Sequence, residues 1–394
     1  MNTTLSQEFE VAGIFRSSFG AYLARFGTQP KHHYDVANAI VRCRTEELGG
    51  HIYRCDDCRH ELTLYNSCRN RHCPKCQAMA RAAWVQQRID ELLPVPYFHV
   101  VFTVPQQLNY YALRNKRLFY DIMFKSVSQT LSELAHDPRR LGGQIGFICV
   151  LHTWGRNLMD HPHIHCIVPA GALCDGDTRW QSCSKDFLFP VAVMRKLYRG
   201  KMLAFFKEAI KQGKLSCLRT VSEGMPPVEV MIKQLYKQDW VVYVKKPFAS
   251  PIEVIKYLGR YTHRVAISNH RIKDISQNSV SFSYKDYADN NRMKIMELSH
   301  VEFIRRFMLH ILPEGFMRIR HYGFLGNSTK NKKLPIIRKL ISPDTQKSGF
   351  MQALDFDFVA EKHVKKCPQC GSTILQCIAK LDPEFVYSAK VVSL

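Results

Sequence analysis

Acidic residues are scarce in this sequence. Asp and Glu total 34 of the 394 residues against 56 Lys and Arg, which leaves a formal net charge of +22. A surplus of positive charge that large indicates a polyanionic partner, with nucleic acid as the first candidate and a membrane surface as the rival. The sequence has no apolar run long enough to span a bilayer, and Met1 to Glu10 are polar where a signal peptide would be apolar. These absences argue against a membrane partner, and we expect a cytoplasmic protein.

Cysteines, by contrast, are plentiful: there are 14, several of them in C-x-x-C pairs. In a reducing compartment such pairs are metal ligands and not disulfides. Two pairs separated by 14 residues have nearly the spacing of a four-cysteine zinc ribbon, because the short loop in each pair lets both thiolates reach one tetrahedral ion. We expect one structural Zn²⁺ with these ligands: Cys55, Cys58, Cys73 and Cys76. Cys68 and His72 are surplus in this scheme, and they would either substitute for one of the four ligands or hold a second ion.

The tail of the chain carries a further half-site, Cys367-Pro-Gln-Cys370-Gly371. Such a knuckle supplies two thiolates, whereas a tetrahedral zinc ion needs four ligands. The sequence leaves the partner ligands open, with Cys377 and His363 as candidates. We expect a second, small zinc site in this tail.

Three histidines alternate with other residues in the stretch His161-Pro-His163-Ile-His165-Cys-Ile-Val168. Its apolar and β-branched residues predict a buried strand, and the alternation places the three imidazoles on one face. Paired imidazoles on one face are half of a metal site. The apolar stretch from Gln144 to Trp154 comes just before, so we expect an antiparallel hairpin that brings His152 near the cluster. The alternative is three ordinary polar residues at the end of a strand.

Residues 250–264 are expected to form a helix with two tyrosines on one face. Ser250-Pro-Ile-Glu253 suits a helix start, with Ser as N-cap, Pro first and Glu third. Tyr257 and Tyr261 are four residues apart and therefore lie one turn apart. Taken alone, the stretch is explained more simply by two core tyrosines on an amphipathic helix.

Together, the histidines and the tyrosines suggest phosphodiester chemistry. Tyrosine is a covalent nucleophile when its electrophile is polarised and its phenolate is stabilised. A divalent ion held by His163 and His165 would do the first, and Lys256 and Arg260 would help with the second. Attack on DNA phosphorus would leave a 5′-phosphotyrosine and a free 3′-hydroxyl, and the conserved bond energy would allow rejoining without ATP.

Basic side chains surround the second cysteine pair and the tyrosines, and they alternate with aromatics over 313–325. Such mixtures suit phosphate contacts and base stacking on unpaired DNA, although 313–325 would equally suit a strand with a solvated face. The residues that we expect to contact DNA are Arg69, Arg71, Lys256, Arg260, Arg264, Arg318 and Arg320.

Four motifs resemble a known family. They are Ser67-Cys-Arg-Asn-Arg-His-Cys-Pro-Lys-Cys76, the His-Pro-His-Ile-His of 161–165, the Tyr-Leu-x-x-Tyr of 257–261, and Leu312 to Gly323. The combination resembles the HUH superfamily of single-strand endonucleases, and within it the two-tyrosine rolling-circle transposases of insertion sequences. The resemblance covers most of the chain.

The resemblance implies nicking and strand transfer at single-stranded element ends in the nucleoid of a bacterial cell, with Mg²⁺ or Mn²⁺ as cofactor. His163 and His165 match the positions of the paired metal ligands, and Tyr257 and Tyr261 match those of the nucleophiles. The superfamily usually has a third metal ligand, for which His152 is the first candidate and His161 the second.

We expect an α+β fold with an HUH-type antiparallel sheet and packed helices. The expected divisions are a helical N-terminal arm (1–50), a zinc-binding domain (51–93), a nuclease and strand-transferase domain (94–326), a basic linker (327–362) and a C-terminal cysteine knuckle (363–394). A replication initiator or relaxase with the same chemistry is an alternative, although the lack of a helicase-type phosphate loop disfavours a fused initiator. A zinc-ribbon DNA-binding regulator without catalysis is another.

Overall fold

The computed structural model describes most of the chain. The described residues are 9–76, 84–85, 87–184, 187–215, 226–245, 253, 266–286, 289–341 and 366–383. Across these ranges, no helix combines the length and the apolarity that a membrane span requires. Helices and antiparallel sheets are mixed along the chain, which confirms the expected α+β class.

The elements are numbered here in chain order. The strands are β1 (Gly50–Cys55), β2 (Glu61–Tyr65), β3 (Tyr97–Thr103), β4 (Gly146–Trp154), β5 (Asp160–Pro169), β6 (Gly171–Cys174), β7 (Arg179–Ser182), β8 (Val242–Lys245), β9 (Ile272–Ile275), β10 (Ser279–Asp286), β11 (Arg292–Ser299), β12 (Ile319–Gly323) and β13 (Leu375–Leu381). The α-helices are α1 (Val11–Phe26), α2 (Lys31–Arg42), α3 (Asn109–Arg114), α4 (Lys116–His136), α5 (Val191–Lys211), α6 (Val228–Lys237), α7 (His300–Leu309) and α8 (Lys330–Leu340).

A five-stranded antiparallel sheet, in the order β12-β4-β5-β3-β8, lies at the centre of the fold. The strand with the three histidines, β5, is its middle strand. The predicted hairpin of β4 and β5 is confirmed, with His152 directly opposite His163 in the register. Because successive side chains point to opposite faces, this one pairing decides which residues share the face of the histidines.

The two faces of this sheet have different coverings. Phe98, Phe147 and Cys166 point to a face that packs against α4 and α5 in one large core. On the opposite face, Ile148 and Ile167 lie in a smaller core with residues of α8 and with Trp84. The histidines of β4 and β5 also point to this second face. They lie towards the end of the two strands that is opposite to Ile148 and Ile167.

A second core joins the N-terminal helices to the last part of the fold. Residues of α1 and α2 pack with α7 and with the three-stranded meander in the order β11-β10-β9. Phe15 of α1, for example, meets the edge of Phe307 of α7 with the ring centroids 5.2 Å apart. The helical arm expected at 1–50 is therefore packed against the body of the protein over its described residues.

The tail is not the separate knuckle that was expected at 363–394. Its strand β13 pairs antiparallel with β1, so that β1 is the middle strand of a three-stranded sheet in the order β13-β1-β2. Strand pairing across almost the whole length of the chain leaves no local pattern in the sequence, which is why sequence reasoning treated the tail as independent.

The basic linker expected at 327–362 is corrected in its first part, because 330–340 forms α8. Leu334 and Ile337 are three residues apart, are 5% and 0% exposed, and pack in the same core as Trp84. Burying two such side chains favours folding by about 2 kcal/mol each. Lys330 and Lys333 form ion pairs with Glu91 and Asp177, whereas Lys332 and Lys339 are exposed. Pro335 occupies the second turn of the helix.

Candidate metal centre and active site

Three histidines of the central sheet converge on one point. His163 and His165 lie two residues apart on β5, and His152 lies across from them on β4. The ring centroids are 4.8 Å apart for His163 and His165, 5.2 Å for His152 and His163, and 4.4 Å for His152 and His165. One ligand atom of each ring lies within 4.8 Å of the others, which is a spacing that one metal ion can bridge.

The protonation state of these rings suits metal binding. The Nδ1–H of His163 donates to the carbonyl oxygen of His161 at 2.6 Å, which leaves Nε2 with its lone pair. Burial lowers the pKa of His163 to about 4 and lowers the pKa of His165 well below its usual range. Both imidazoles are therefore neutral at neutral pH, as a ligand must be.

A fourth histidine supports this group. His99 of β3 is 3% exposed, and its Nε2 lies 2.7 Å from Nδ1 of His165. The rings are nearly parallel, with 11° between their planes. This hydrogen bond fixes the orientation of the His165 ring and leaves Nε2 of His165 directed away from β3. The sequence gives no local sign of this role for His99, because the pairing of β3 with β5 brings together residues that are 66 positions apart.

His161, the second candidate for a third ligand, lies at the edge of the cluster. Its ring centroid is 5.1 Å from that of His163, but its side chain is exposed and it is outside the group whose ligand atoms converge. His152 is 2% exposed and stacks on Trp154 with the centroids 4.8 Å apart. The geometry therefore favours His152 over His161 as the third ligand.

The predicted nucleophiles, Tyr257 and Tyr261, lie outside the described residues. The neighbouring Lys256, Arg260 and Arg264 do so as well. Their roles remain predictions from the sequence.

The four other arginines that we expected at the DNA differ in their surroundings. Arg69 is exposed. Arg71 donates to the carbonyl oxygens of Phe316 and Pro313 at 2.5 and 2.6 Å, so it joins the zinc-binding part to the segment before β12. Arg318 is 7% exposed, and burial lowers its pKa to about 9.

The fourth of these, Arg320, forms an ion pair with Asp121 of α4. Its guanidinium also lies 4.1 Å from the centroid of the Phe124 ring. Arg71 and Arg320 thus have partners within the protein and Arg318 is buried, whereas Arg69 is the exposed member of the four.

The cysteines form two clusters, and this corrects the expected ligand set. Cys73 and Cys76 lie with Cys68 and with Cys43, at the end of α2. The sulfurs of Cys43 and Cys76 are 3.2 Å apart, and those of Cys68 and Cys76 are 3.4 Å apart. Cys43 was missed because it has no cysteine neighbour at C-x-x-C spacing.

Cys55 and Cys58 lie instead with Cys367 and Cys370 of the tail. The expected set of Cys55, Cys58, Cys73 and Cys76 is therefore divided between two places. The tail knuckle was the sign of this division in the sequence. A pair of cysteines supplies only two of the four ligands of a zinc ion, so the tail pair had to combine with ligands from elsewhere in the chain.

The remaining candidates lie outside both clusters. His72 is buried, and its Nε2 accepts a hydrogen bond from the backbone N–H of Leu312 at 3.2 Å. Cys377 is exposed, and its thiol lies 3.7 Å from the carbonyl oxygen of Ala379. His363 lies outside the described residues.

Two family descriptions match the sequence. "Transposase zinc-binding domain" matches residues 14–104, and "Putative transposase" matches residues 146–333. The first range includes all the cysteines of the first cluster and two of the second. The second range includes β4 and β5 with their three histidines, as well as both predicted tyrosines.

Two curated proteins are similar over nearly the whole chain. Putative transposase y4qJ of Sinorhizobium fredii is 45% identical over 369 residues, which is 92% of each chain. The transposase for insertion sequence element IS801 of Pseudomonas savastanoi pv. phaseolicola is 26% identical over 383 residues, covering 91% of this chain and 87% of that one. No solved structure matches.

Proposed function

The chain belongs to a family of transposases that carry a transposase zinc-binding domain, and on that premise we propose that it nicks and rejoins single-stranded DNA through a 5′-phosphotyrosine. The substrate in this proposal is the end of an insertion sequence, because the IS801 relative is named as the transposase of an insertion sequence element. The reaction would take place at the bacterial nucleoid.

The observation that carries the proposal is the convergence of His152, His163 and His165 on one face of the sheet. Three neutral imidazole nitrogens bind a divalent transition metal most readily, and Mg²⁺ at this site would keep water in the rest of its shell. When bound there, Mg²⁺ or Mn²⁺ would neutralise the non-bridging oxygens of a phosphodiester. Strand pairing fixes the backbone of all three residues, hydrogen bonds orient the rings of His163 and His165, and His152 and His165 are buried.

The nucleophile in this proposal is the phenol oxygen of Tyr257 or Tyr261. It forms a bond to phosphorus, and the bond from phosphorus to the 3′ oxygen of the preceding nucleotide breaks. The phenol proton is lost and the departing oxygen gains a proton, so the upstream strand ends in a free 3′-hydroxyl. In the second half of the reaction a 3′-hydroxyl attacks the phosphotyrosine, and two tyrosines allow one strand to be held while another is cut.

The remaining parts have supporting roles in the proposal. The zinc-binding part would be structural and would present Arg69 to the phosphate backbone, together with Lys256, Arg260 and Arg264 near the tyrosines. Residues 94–326 would form the nuclease and strand-transferase domain. The net charge of +22 supports a channel that follows the backbone of unpaired DNA.

The test uses single-stranded oligonucleotides that tile the DNA on both sides of the gene, with Mn²⁺ or Mg²⁺. An oligonucleotide labelled at its 3′ end should leave its label on the protein in a band that survives denaturing detergent. The same oligonucleotide labelled at its 5′ end should release a shorter strand that a polymerase can extend. Duplexes of the same sequences are the matched control and should give far less adduct. Label transfer from the 5′ end, or cleavage without any adduct, would contradict the proposal.

A further inference from the structure

We propose that Cys55, Cys58, Cys367 and Cys370 bind a zinc ion of their own, and that this ion fastens the C-terminal strand β13 to the N-terminal zinc-binding part. Neither family match contains this set, because residues 366–383 lie beyond both matched ranges. The proposed site is independent of the histidine cluster and of the phosphotyrosine chemistry.

The geometry of the four thiols supports one tetrahedral ion. The sulfurs of Cys55 and Cys370 are 3.5 Å apart, and those of Cys58 and Cys367 are 3.4 Å apart. All four sulfur atoms lie within 4.8 Å of one another. With zinc–sulfur bonds of about 2.3 Å, tetrahedral thiolates are separated by about 3.8 Å, so only small shifts would complete the shell.

The two knuckles have the same backbone turn. In the first, the N–H of Arg59 donates to the carbonyl oxygen of Cys55, and the N–H of Cys55 donates to that of His60. In the second, the N–H of Gly371 donates to the carbonyl oxygen of Cys367, and the N–H of Cys367 donates to that of Ser372.

The fifth residue of each turn also has a positive φ, 62° at Arg59 and 76° at Gly371. An L-residue such as Arg adopts that conformation only at a cost in energy, so the first turn is held there by its surroundings. The two turns have the same conformation and their sulfurs face each other, so each turn would supply two of the four zinc ligands.

Among the described residues, the strand that follows the second knuckle buries little apolar surface. β13 pairs with β1 from Cys55 opposite Leu375 to Gly50 opposite Leu381, but its five central side chains are exposed. Ile374 and Ile378, which would be natural core residues, are 57% and 37% exposed. Strand pairing with so little apolar burial is weak, whereas a structural zinc ion contributes free energy directly to the folded state.

Metal counting in the intact chain tests the ligand set. Native mass spectrometry should find one zinc ion fewer in Cys367→Ser/Cys370→Ser and in Cys55→Ser/Cys58→Ser than in the wild type. Cys377→Ser removes a tail thiol outside the cluster and should keep the wild-type number of zinc ions. The wild-type number in Cys367→Ser/Cys370→Ser would overturn the proposal, as would the loss of an ion from Cys377→Ser.

Hydrogen exchange then tests whether the ion holds the strand. In Cys367→Ser/Cys370→Ser the amides of β13 should exchange at least about tenfold faster than in the wild type, because local opening sets their rate. The amides of α4 and α5 should be unchanged, which would show that the variant is folded. Unchanged protection of β13 would overturn the fastening role.

A third measurement needs no variant. In the zinc-loaded wild type, a maleimide should modify Cys377 quickly and leave Cys367 and Cys370 unmodified until a chelator is added. Equal reaction of all three before chelation would overturn the proposal. None of these measurements involves DNA, so their outcome and that of the adduct test are separate.

Discussion

The Nε2 atom of His99 lies 2.7 Å from the Nδ1 atom of His165, which joins β3 to the metal-ligand candidate in the middle of the sheet. If His165 binds a metal through Nε2, its Nδ1 carries the hydrogen and donates a hydrogen bond to Nε2 of His99. Both side chains are buried, so no water replaces this hydrogen bond. His99 is therefore a positioning residue for the proposed metal site.

His99→Ala should weaken Mn²⁺ binding by about 10- to 100-fold, which is the usual effect of removing a partner behind a metal ligand. An electron paramagnetic resonance titration of free Mn²⁺ measures this directly. His136→Ala, which removes an exposed histidine at the end of α4, is the matched control and should bind like the wild type. Equal Mn²⁺ affinity in the two variants would show that His99 contributes to packing and does not position the metal ligand.

His163→Ala/His165→Ala should abolish nicking while leaving single-stranded DNA binding intact. Several kcal/mol of charge stabilisation is lost with the metal, which corresponds to a decrease in rate of at least about 100-fold. Cleavage of an end-labelled oligonucleotide and fluorescence anisotropy measure the two properties on one sample. The exposed His161 provides the control, since His161→Ala should keep most of the activity. If the wild type never cuts and the double variant binds normally, the chain is a non-catalytic DNA-binding protein.

Affinity for single-stranded DNA should fall steeply with salt, and Arg69 should account for part of the slope. Each phosphate contact contributes about −0.7 to the slope of log K against log salt for single strands. Arg69→Ala should therefore reduce the steepness by about that amount in anisotropy titrations from low to high NaCl. Arg139→Ala removes the same charge from an exposed site after α4 and should leave the slope unchanged. A flat response in the wild type would contradict the electrostatic basis of binding.

Asp160, at the start of β5, should make stability depend on pH. Neither oxygen of its carboxyl group has a hydrogen-bond partner among the described residues. Burial raises its pKa to about 7, against the opposing effect of Lys116. The folded state therefore holds a proton that the unfolded state releases near its ordinary pKa of about 4, so the stabilisation is lost as pH rises from 4 through 7.

Asp160→Asn cannot titrate, so its free energy of unfolding should change less between pH 5 and pH 7.5 than that of the wild type. Urea denaturation at the two pH values measures this difference. An identical pH dependence in both proteins would show that Asp160 is solvated or paired in solution.

Local patterns in the sequence predicted the parts of the structure that are local. The β4–β5 hairpin was predictable because a short loop joins two apolar strands, and it placed His152 beside His163 and His165. Distant pairings were not predictable in this way. The hydrogen bond from His99 to His165 spans 66 positions, and the contact between Cys58 and Cys367 spans 309.

The helix α8 was missed for a different reason. Its lysines and Pro335 suggested a linker, and two buried apolar residues, Leu334 and Ile337, outweighed them once a core was available for packing. Cys43 was missed for a similar reason: it is recognised as a candidate zinc ligand only when the fold places it beside Cys68, Cys73 and Cys76.

The covalent adduct with each tyrosine replaced is the most direct test of the proposed chemistry. Tyr243 offers a matched control, because it is 55% exposed on β8 and points to the same face as the histidines. The wild type and Tyr243→Phe should form a detergent-resistant adduct with a cleaved 3′-labelled oligonucleotide, and Tyr257→Phe/Tyr261→Phe should form none. An adduct with the double variant would contradict the assignment of the nucleophile.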